Sequence, residues 1–346
     1  MREIPFTPSR LDPSLLRCLW LACALVFAPA PGRAAEAVTL VLNWIPSAEH
    51  APFFYAAEQG WYREAGIELN IESVAGSPHA IKRAAQQANT LAVSDFIAYL
   101  RARGEHPTTV AIMALQPRSP CAIYYSARSG IGGVQDLAGK RIAAQPEDPM
   151  RGLWRVLAGR NGSDASSVNW IALSNPAKPD ALAAGEVDAA LNPFLHNHLS
   201  YEAALKEQMS VMWWYELGFA GYGHVLVAGD HLARERAALV GKFVAATQRA
   251  WAQCLAEPQP CLDALLAQHP HLDRAHEVAL WQLVERLYSD PAARDTVLGA
   301  FDSTRVDVAV RDVESALVTA NAVSAPTTNQ FLSQQIRVPA MRANSK

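Results

Sequence analysis

Short apolar runs alternate with longer amphipathic stretches along most of this chain. Residues 38–42 (Val-Thr-Leu-Val-Leu), 67–72, 91–94 and 108–115 have the length and β-branched content of strands. A helix starts near Ala51, and 78–87 and 96–103 carry helical patterns, the last closed by Gly104. The pattern breaks at Gln116-Pro117-Arg118-Ser119-Pro120 and then restarts. Residues 122–126, 141–144, 168–173, 187–191 and 211–215 read as strands, and 149–160, 180–184 and 195–207 as helices. Asp148 stands as the N-cap of the first of these helices, with Pro149 at its first position. A glycine-rich stretch, 218–224, leads into a further apolar strand at 225–228. Helical periodicity then covers 235–255, 261–268, 274–288 and 306–320. The tail after Ser324 is rich in Ser, Thr, Gln and Pro and reads as loosely packed.

Strands alternating with helices predict an α/β protein built from βαβ steps. The two breaks divide it into two lobes joined by two crossings. The first lobe is discontinuous, 38–117 with 223–324; the second is 118–222; 325–346 form the loose tail. Paired crossings suit hinge closure around a ligand.

Composition narrows the function. Half of the chain is apolar and its net charge is −3, which lacks the basic excess a nucleic-acid binder needs. Residues 1–37 read as a secretory signal: Arg17 precedes an apolar run to Ala28, and small residues follow at Ala34, Ala35 and Ala37. Cleavage after Ala34 and after Ala37 both fit. An N-terminal anchor and a lipoprotein site at Leu21-Ala22-Cys23 are the competing readings, and no later segment is apolar enough to span a membrane. Of the five cysteines, Cys18 and Cys23 belong to the signal. Cys254 and Cys261 form either a disulfide in an oxidising compartment or two buried thiols. Cys121, in a strand pattern, reads as a buried structural thiol.

The loop after the first strand holds the main candidate chemistry. In an open α/β sheet, ligands sit beyond the carboxyl ends of strands. Asn43, Trp44, Glu49 and His50 occupy that position. Further aromatic or polar candidates near strand ends and joints are Tyr55, Ser94, Asp95, Asn192, Glu216 and Tyr222. Aromatic rings hold a flat ligand by offset stacking, and the polar groups supply donors and acceptors. Arg118, in the first joint, and Arg151, in the first turn of its helix, favour an anion instead. No Gly-x-Ser-x-Gly, His-Glu-x-x-His, phosphate loop or Cys-x-x-Cys cluster is present. His196 and His198, two apart on a helix, diverge, and His269, His271 and His276 read as solvated. No catalytic residue, metal site or cofactor is expected.

Several motifs carry a resemblance. The first is Trp44-Ile45-Pro46, followed by His50 and by Tyr55-Ala56 with Gly60 four residues later. Ser129-Gly130-Ile131 with Asp136-Leu137-Ala138-Gly139-Lys140 is the most specific; Val187-Asp188-Ala189 and Tyr222-Gly223 add to it. This set resembles the periplasmic solute-binding proteins of ABC importers. Within them it is most similar to the thiamine-pyrimidine-precursor group and its fungal pyrimidine synthase relatives; nitrate, sulfonate and taurine binders are more distant. The resemblance implies a type II periplasmic-binding-protein fold, a small heteroaromatic ligand, and a monomer that meets the membrane only through a permease and its ATPase. A sulfonate, nitrate or aromatic carboxylate is the alternative ligand. A pyrimidine synthase-like enzyme is the alternative of another class, although the cysteine-rich motif of that enzyme is absent here.

Export makes a direct prediction. The protein recovered from the periplasm of its host begins near Ala35 or Val38 by N-terminal sequencing, and an intact Met1 on soluble cytosolic protein contradicts the signal.

Overall fold

The structure, a computed structural model, describes residues 35–103, 108–146, 148–290, 295–317 and 327–340. The signal reading up to Ala34, and the Gly104 helix stop, lie outside the described residues.

Ten strands form two five-stranded mixed sheets. In the first, β1 (Glu36–Leu42), β2 (Ile67–Ser73), β3 (Thr90–Asp95) and β4 (Thr109–Ala114) are joined by β10 (His224–Gly229) in the order β2-β1-β3-β10-β4. In the second, β5 (Ala122–Ser126), β6 (Arg141–Ala143), β7 (Asn169–Ile171), β8 (Ala189–Asn192) and β9 (Met209–Trp213) take the order β7-β6-β8-β5-β9. The two sheets repeat one plan. In each, three strands pair in parallel, and the fourth in the spatial order is antiparallel to both neighbours. That antiparallel strand is always the one that follows a crossing, β5 after the first and β10 after the second. A βαβ reading of the sequence expects parallel pairing throughout and misses this reversal, because hydrophobic periodicity does not encode strand direction.

Helices cover the sheets: α1 (Ala51–Glu58), α2 (Trp61–Glu64), α3 (Ser77–Gln86) and α4 (Phe96–Arg103) on the first, and α5 (Pro149–Arg160), α6 (Lys178–Ala183) and α7 (His198–Leu205) on the second. Strand alternation sets the two faces of each sheet. Leu40, Leu42 and Val93 join one apolar cluster with Phe53, while Val41 and Ala92 join another with Ile81 and Tyr99. Asp148 caps α5 as the sequence indicates, accepting from the Met150 amide at 3.0 Å.

The helical half differs in detail. The expected helix 235–255 is α9 (Ala237–Ala256), and a short helix, α8 (Asp230–Glu235), precedes it. The break falls at Arg236, whose guanidinium pairs with Glu36 on β1. The remaining helices are α10 (Pro258–Gln268), α11 (Arg274–Tyr288) and α12 (Ser303–Leu317). α9 and α10 pack on α1, and α12 lies against α5 and α4. The tail is not loose over residues 327–340. Phe331, Leu332 and Val338 are buried, and Thr327 bridges to Ala111 on β4. A few apolar anchors inside a polar stretch outweigh its average composition.

The two crossings run side by side and bond to each other. Gly223 donates to the Gln116 carbonyl at 3.1 Å, Ser119 to that of Gly221 at 3.2 Å, and Trp214 to that of Cys121 at 3.0 Å. A Cβ at position 223 would fall on the Gln116 side-chain oxygen and 2.8 Å from the Arg118 carbonyl oxygen, so only glycine allows this approach. Arg305 of α12 clamps both crossings, donating to the carbonyls of Pro117 and Ala220 at 2.7 and 3.2 Å.

Cys254 and Cys261 are joined in a disulfide that ties the end of α9 to the start of α10. Cys121 is buried and free. By the loop-entropy argument a closure this short contributes about 2–3 kcal/mol. Cys254→Ser is expected to lower unfolding stability by that order, and dithiothreitol to do the same to the wild type but not to the variant, in urea titrations.

Candidate ligand-binding site

The carboxyl ends of β1, β3 and β4 and the amino end of β10 meet at one edge of the first sheet, because β10 runs against its neighbours. Asn43, Asp95, Gln116 and His224 are therefore brought together from segments far apart in sequence. A 3-10 turn, Ala48–His50, adds Glu49 and His50 from the loop after β1. All six side chains except Asp95, which is half-buried, are withdrawn from solvent.

The hydrogen bonds form one connected network. The Asn43 carboxamide nitrogen lies 3.3 Å from His224 Nε2 and 3.4 Å from Ser77 Oγ, and its oxygen lies 3.3 Å from His50 Nε2. His50 Nδ1 is 3.3 Å from Ser47 Oγ. Gln116 donates through Nε2 to Glu49 Oε1 at 2.8 Å and accepts the His224 backbone amide at 3.0 Å. His224 Nδ1 is 3.7 Å from Glu49 Oε1. The two imidazoles lie nearly parallel with centroids 6.0 Å apart. Buried polar groups are costly unless paired, and here the pairing is nearly complete.

Two further parts frame this network. The Glu277 carboxylate on α11 accepts the Ala48 amide at 2.5 Å, which holds the start of the 48–50 turn. α11 also packs on the turn Leu195–Asn197 after β8, so one helix touches a site loop from each sheet. That second turn carries His196, whose ring lies almost parallel to Trp44 at 6.4 Å between centroids, with Phe194 stacked on it at 5.5 Å. Trp44 (45% exposed), Ile45 and Phe194 are the large apolar side chains left exposed among the described residues.

Burial dominates the electrostatics. It pushes the His50 pKa well below the ordinary histidine value, and the neighbouring His224 and His196 push the same way. His196 is lowered by burial too, against the pull of Glu49. Asp95 and Glu277 are raised, chiefly by burial, in opposition to the backbone amides that bond them.

The sequence candidates divide into two groups. Asn43, Glu49 and His50 sit in the network, Asp95 at its edge, and Trp44 next in the chain to Asn43, stacked on His196. The others do not join them. Tyr55 packs edge-on against Trp61 at 5.3 Å on the face where α1 meets the helices. Ser94 is buried and donates to the neighbouring Asp95 carbonyl. Arg118 lies over the Tyr215 ring and faces Asp290 at 3.7 Å. Arg151 lies over Trp170 at 5.2 Å, beside the edge strand β7. Asn192 bonds within its own turn, to the Phe194 carbonyl and to Asn197, so it shapes the loop that presents His196. Glu216 is exposed and faces the Trp213 amide. Tyr222 is buried against Phe96 and Phe301, with its hydroxyl accepting the Asp302 amide. A pocket of about 530 Å³ beside the crossings is lined by Arg118, Tyr215, Tyr222 and Arg305, together with Asp290 and Asp302, and by no member of the network. Its cations are matched by acids, and the network holds the denser set of directed groups. Among the described residues no cluster of three or more His, Cys, Asp or Glu has metal-site geometry.

Sequence reasoning passed over Ser77, Gln116, His196, His224 and Glu277 as site residues. The available signal for His224 and Gln116 was their place flanking the crossings, where two strands of one sheet end together.

Known proteins agree with this architecture. The profile of the family described as NMT1/THI5 like matches residues 47–260. The chain belongs to the NMT1/THI5-like family. Its relatives include the formylaminopyrimidine-binding protein of Halalkalibacterium halodurans, 22% identical over 79% of this chain and 84% of that one. The riboflavin-binding protein RibY of Chloroflexus aurantiacus is 26% identical over 71% of this chain and 70% of that one. A 4-amino-5-hydroxymethyl-2-methylpyrimidine phosphate synthase of Legionella pneumophila is 23% identical over 68% and 74%. Among solved structures, the periplasmic aliphatic sulphonate binding protein of Escherichia coli superposes with a TM-score of 0.66 at 16% identity, covering 84% of this chain and 96% of that one. The fold is therefore that of the periplasmic binding proteins, as the sequence motifs imply.

The histidines make stability depend on pH. His198, buried between Tyr124 and Trp213, has its pKa pushed down to about 4 by burial and then by Arg286. The unfolded chain takes up this proton near pH 6.5 and the folded one does not, so stability falls as pH drops from 6.5 toward 4. Buried carboxylates with raised pKa values act in the opposite sense, but equally in a wild-type and variant pair. Between pH 7.5 and 5.0 the wild type is expected to lose about 2 kcal/mol more than His198→Gln in urea unfolding.

Proposed function

We propose that this protein is the substrate-binding component of an ABC importer, exported to the periplasm, and that it captures a small planar heteroaromatic ligand of the thiamine-pyrimidine-precursor class. One observation carries the ligand class. A buried set of directed, uncharged or acidic groups (Asn43, Glu49, His50, Gln116, His224) contains no lysine or arginine, and Trp44, next to Asn43 in the chain, carries an exposed ring nearly parallel to that of His196. Such a site suits ring nitrogens and an exocyclic amine. An anion would need cations there, and Arg118 and Arg151 lie elsewhere, over Tyr215 facing Asp290 and over Trp170. The names of the formylaminopyrimidine-binding and riboflavin-binding relatives support a flat nitrogen heterocycle.

The mechanism is capture between the lobes 38–117 with 223–324 and 118–222, bending at the paired crossings, and presentation of the closed form to a permease with its ATPase. The protein acts as a monomer and reaches the membrane only through that permease; no helix among the described residues is long and apolar enough to cross one. Binding rather than catalysis is the activity. Among the described residues the free thiol is Cys121, buried with its pKa raised, mainly by burial, and so a poor nucleophile. His50 is fully engaged by Asn43 and Ser47.

Native mass spectrometry of protein from its own host identifies the co-purified molecule. Against that molecule, Trp44→Ala is expected to cost roughly 1–3 kcal/mol, about 10- to 100-fold in affinity, through lost area and stacking. His50→Ala costs somewhat less and Arg118→Ala little. Calorimetric titration of the three variants checks the order. A large loss confined to Arg118→Ala instead points to an anion, and wild-type affinity in folded Trp44→Ala excludes stacking.

A further inference from the structure

Asn43 is the one side chain that bonds both buried histidines of the network. Its carboxamide has one end that donates and one that accepts. The donating nitrogen faces His224 Nε2 and the accepting oxygen faces His50 Nε2, each at 3.3 Å. His224 Nε2 must then carry a lone pair, and His50 Nε2 a proton. Turning the amide over reverses both requirements together, so the two rings hold opposite tautomers in either orientation.

The neighbours select one orientation. His224 Nδ1 faces the Glu49 carboxylate at 3.7 Å, which favours a proton on Nδ1 and leaves Nε2 to accept. His50 Nδ1 lies 3.3 Å from the Ser47 hydroxyl, which donates to it. The Asn43 nitrogen has a second acceptor in Ser77 Oγ at 3.4 Å, and that oxygen in turn receives the Asp95 amide at 3.0 Å. The hydrogens of the Asn43 amide and of both rings then each face an acceptor.

We infer that Asn43 is a positioning residue that locks His50 as the Nε2–H tautomer and His224 as the Nδ1–H tautomer. The lock has a consequence for recognition, which rests on the function proposed above. It leaves the Nδ1–H of His224 beside the Glu49 carboxylate, a donor next to an acceptor. An aminopyrimidine offers the matching edge, a ring nitrogen that accepts beside an amine that donates. In the other tautomer, His224 would present a lone pair toward a carboxylate, and that edge would find two acceptors.

The lock is tested without any ligand. Imidazole nitrogen-15 spectra of the ligand-free full chain at pH 7.5, with signals assigned through His50→Gln and His224→Gln, distinguish the two tautomers directly. Opposite tautomers in the stated sense are expected in the wild type. In Asn43→Asp, a carboxylate that only accepts, His224 is expected to place a proton on Nε2, by changing tautomer or by taking up a second proton. Affinity for 4-amino-2-methylpyrimidine, used as the probe, is expected to fall at least 10-fold in that variant, and Asn43→Gln to recover part of it. Matching tautomers in the wild type, or a His224 signal unmoved in folded Asn43→Asp, overturns the lock. The wild-type spectrum decides even if the variant does not fold. Opposite tautomers that respond to Asn43→Asp, with no binding of the probe to the wild type, uphold the lock and refute the ligand class instead.

Discussion

Gln116 is the residue on which the arrangement turns. It leaves the first sheet two positions after β4, and nearly every polar atom it owns is used. Its backbone amide donates to the His224 carbonyl at 3.1 Å and its carbonyl accepts Gly223. Its side-chain oxygen accepts the His224 amide, and its side-chain nitrogen holds Glu49. One residue thus fixes the first crossing, the second crossing and the loop after β1. With 2% of its surface exposed, water offers little substitute for any of these bonds. The need for glycine at 223 follows, since the second crossing must pass close enough to reach this side chain.

The site network inherits its character from that geometry. Strand ends that converge on a dry edge bring backbone and side-chain polar groups together in a low-dielectric setting, where each must be partnered. Imidazoles and carboxamides meet that demand without net charge. The arginines settle elsewhere, over tyrosine and tryptophan rings near the joint and at the outer strand. α11 adds a mechanical link: it holds the 48–50 turn through Glu277 and packs on the turn that carries His196. The first sheet's recognition loop and the second sheet's facing loop share one support.

Much of this was legible in the sequence, for definable reasons. The end of β1 was marked by an apolar run, and the rule that ligands sit beyond such ends located Asn43, Trp44, Glu49 and His50. The crossings were marked by proline and glycine. Tyr55, Arg151, Asn192 and Tyr222 were also near strand ends, helix starts or joints, but proximity in sequence does not say which way a side chain points. Tyr55 turns toward Trp61, and Tyr222 into the packing around Phe301. His224, Ser77 and Glu277 were hidden for another reason. They come from an antiparallel strand, a helix start and a helix more than 200 residues from the loop it supports, and only the fold brings them to one edge. The packed stretch 327–340 was masked by polar composition, because three buried apolar residues do not shift an average.

The order of strands also constrains how the molecule is made. β4 has no neighbour in its sheet except β10, which lies between it and β3. A chain emerging from synthesis can assemble β2-β1-β3 once residue 95 is available, yet β4 stays unpaired until residues 224–229 arrive. The second sheet, whose five strands all lie between residues 122 and 213, has every strand it needs before the first can close. The edge that gathers Gln116, His224 and Asn43 therefore forms only after both sheets have most of their strands. Asn43 and Gln116 thus wait for a partner more than a hundred residues further along the chain.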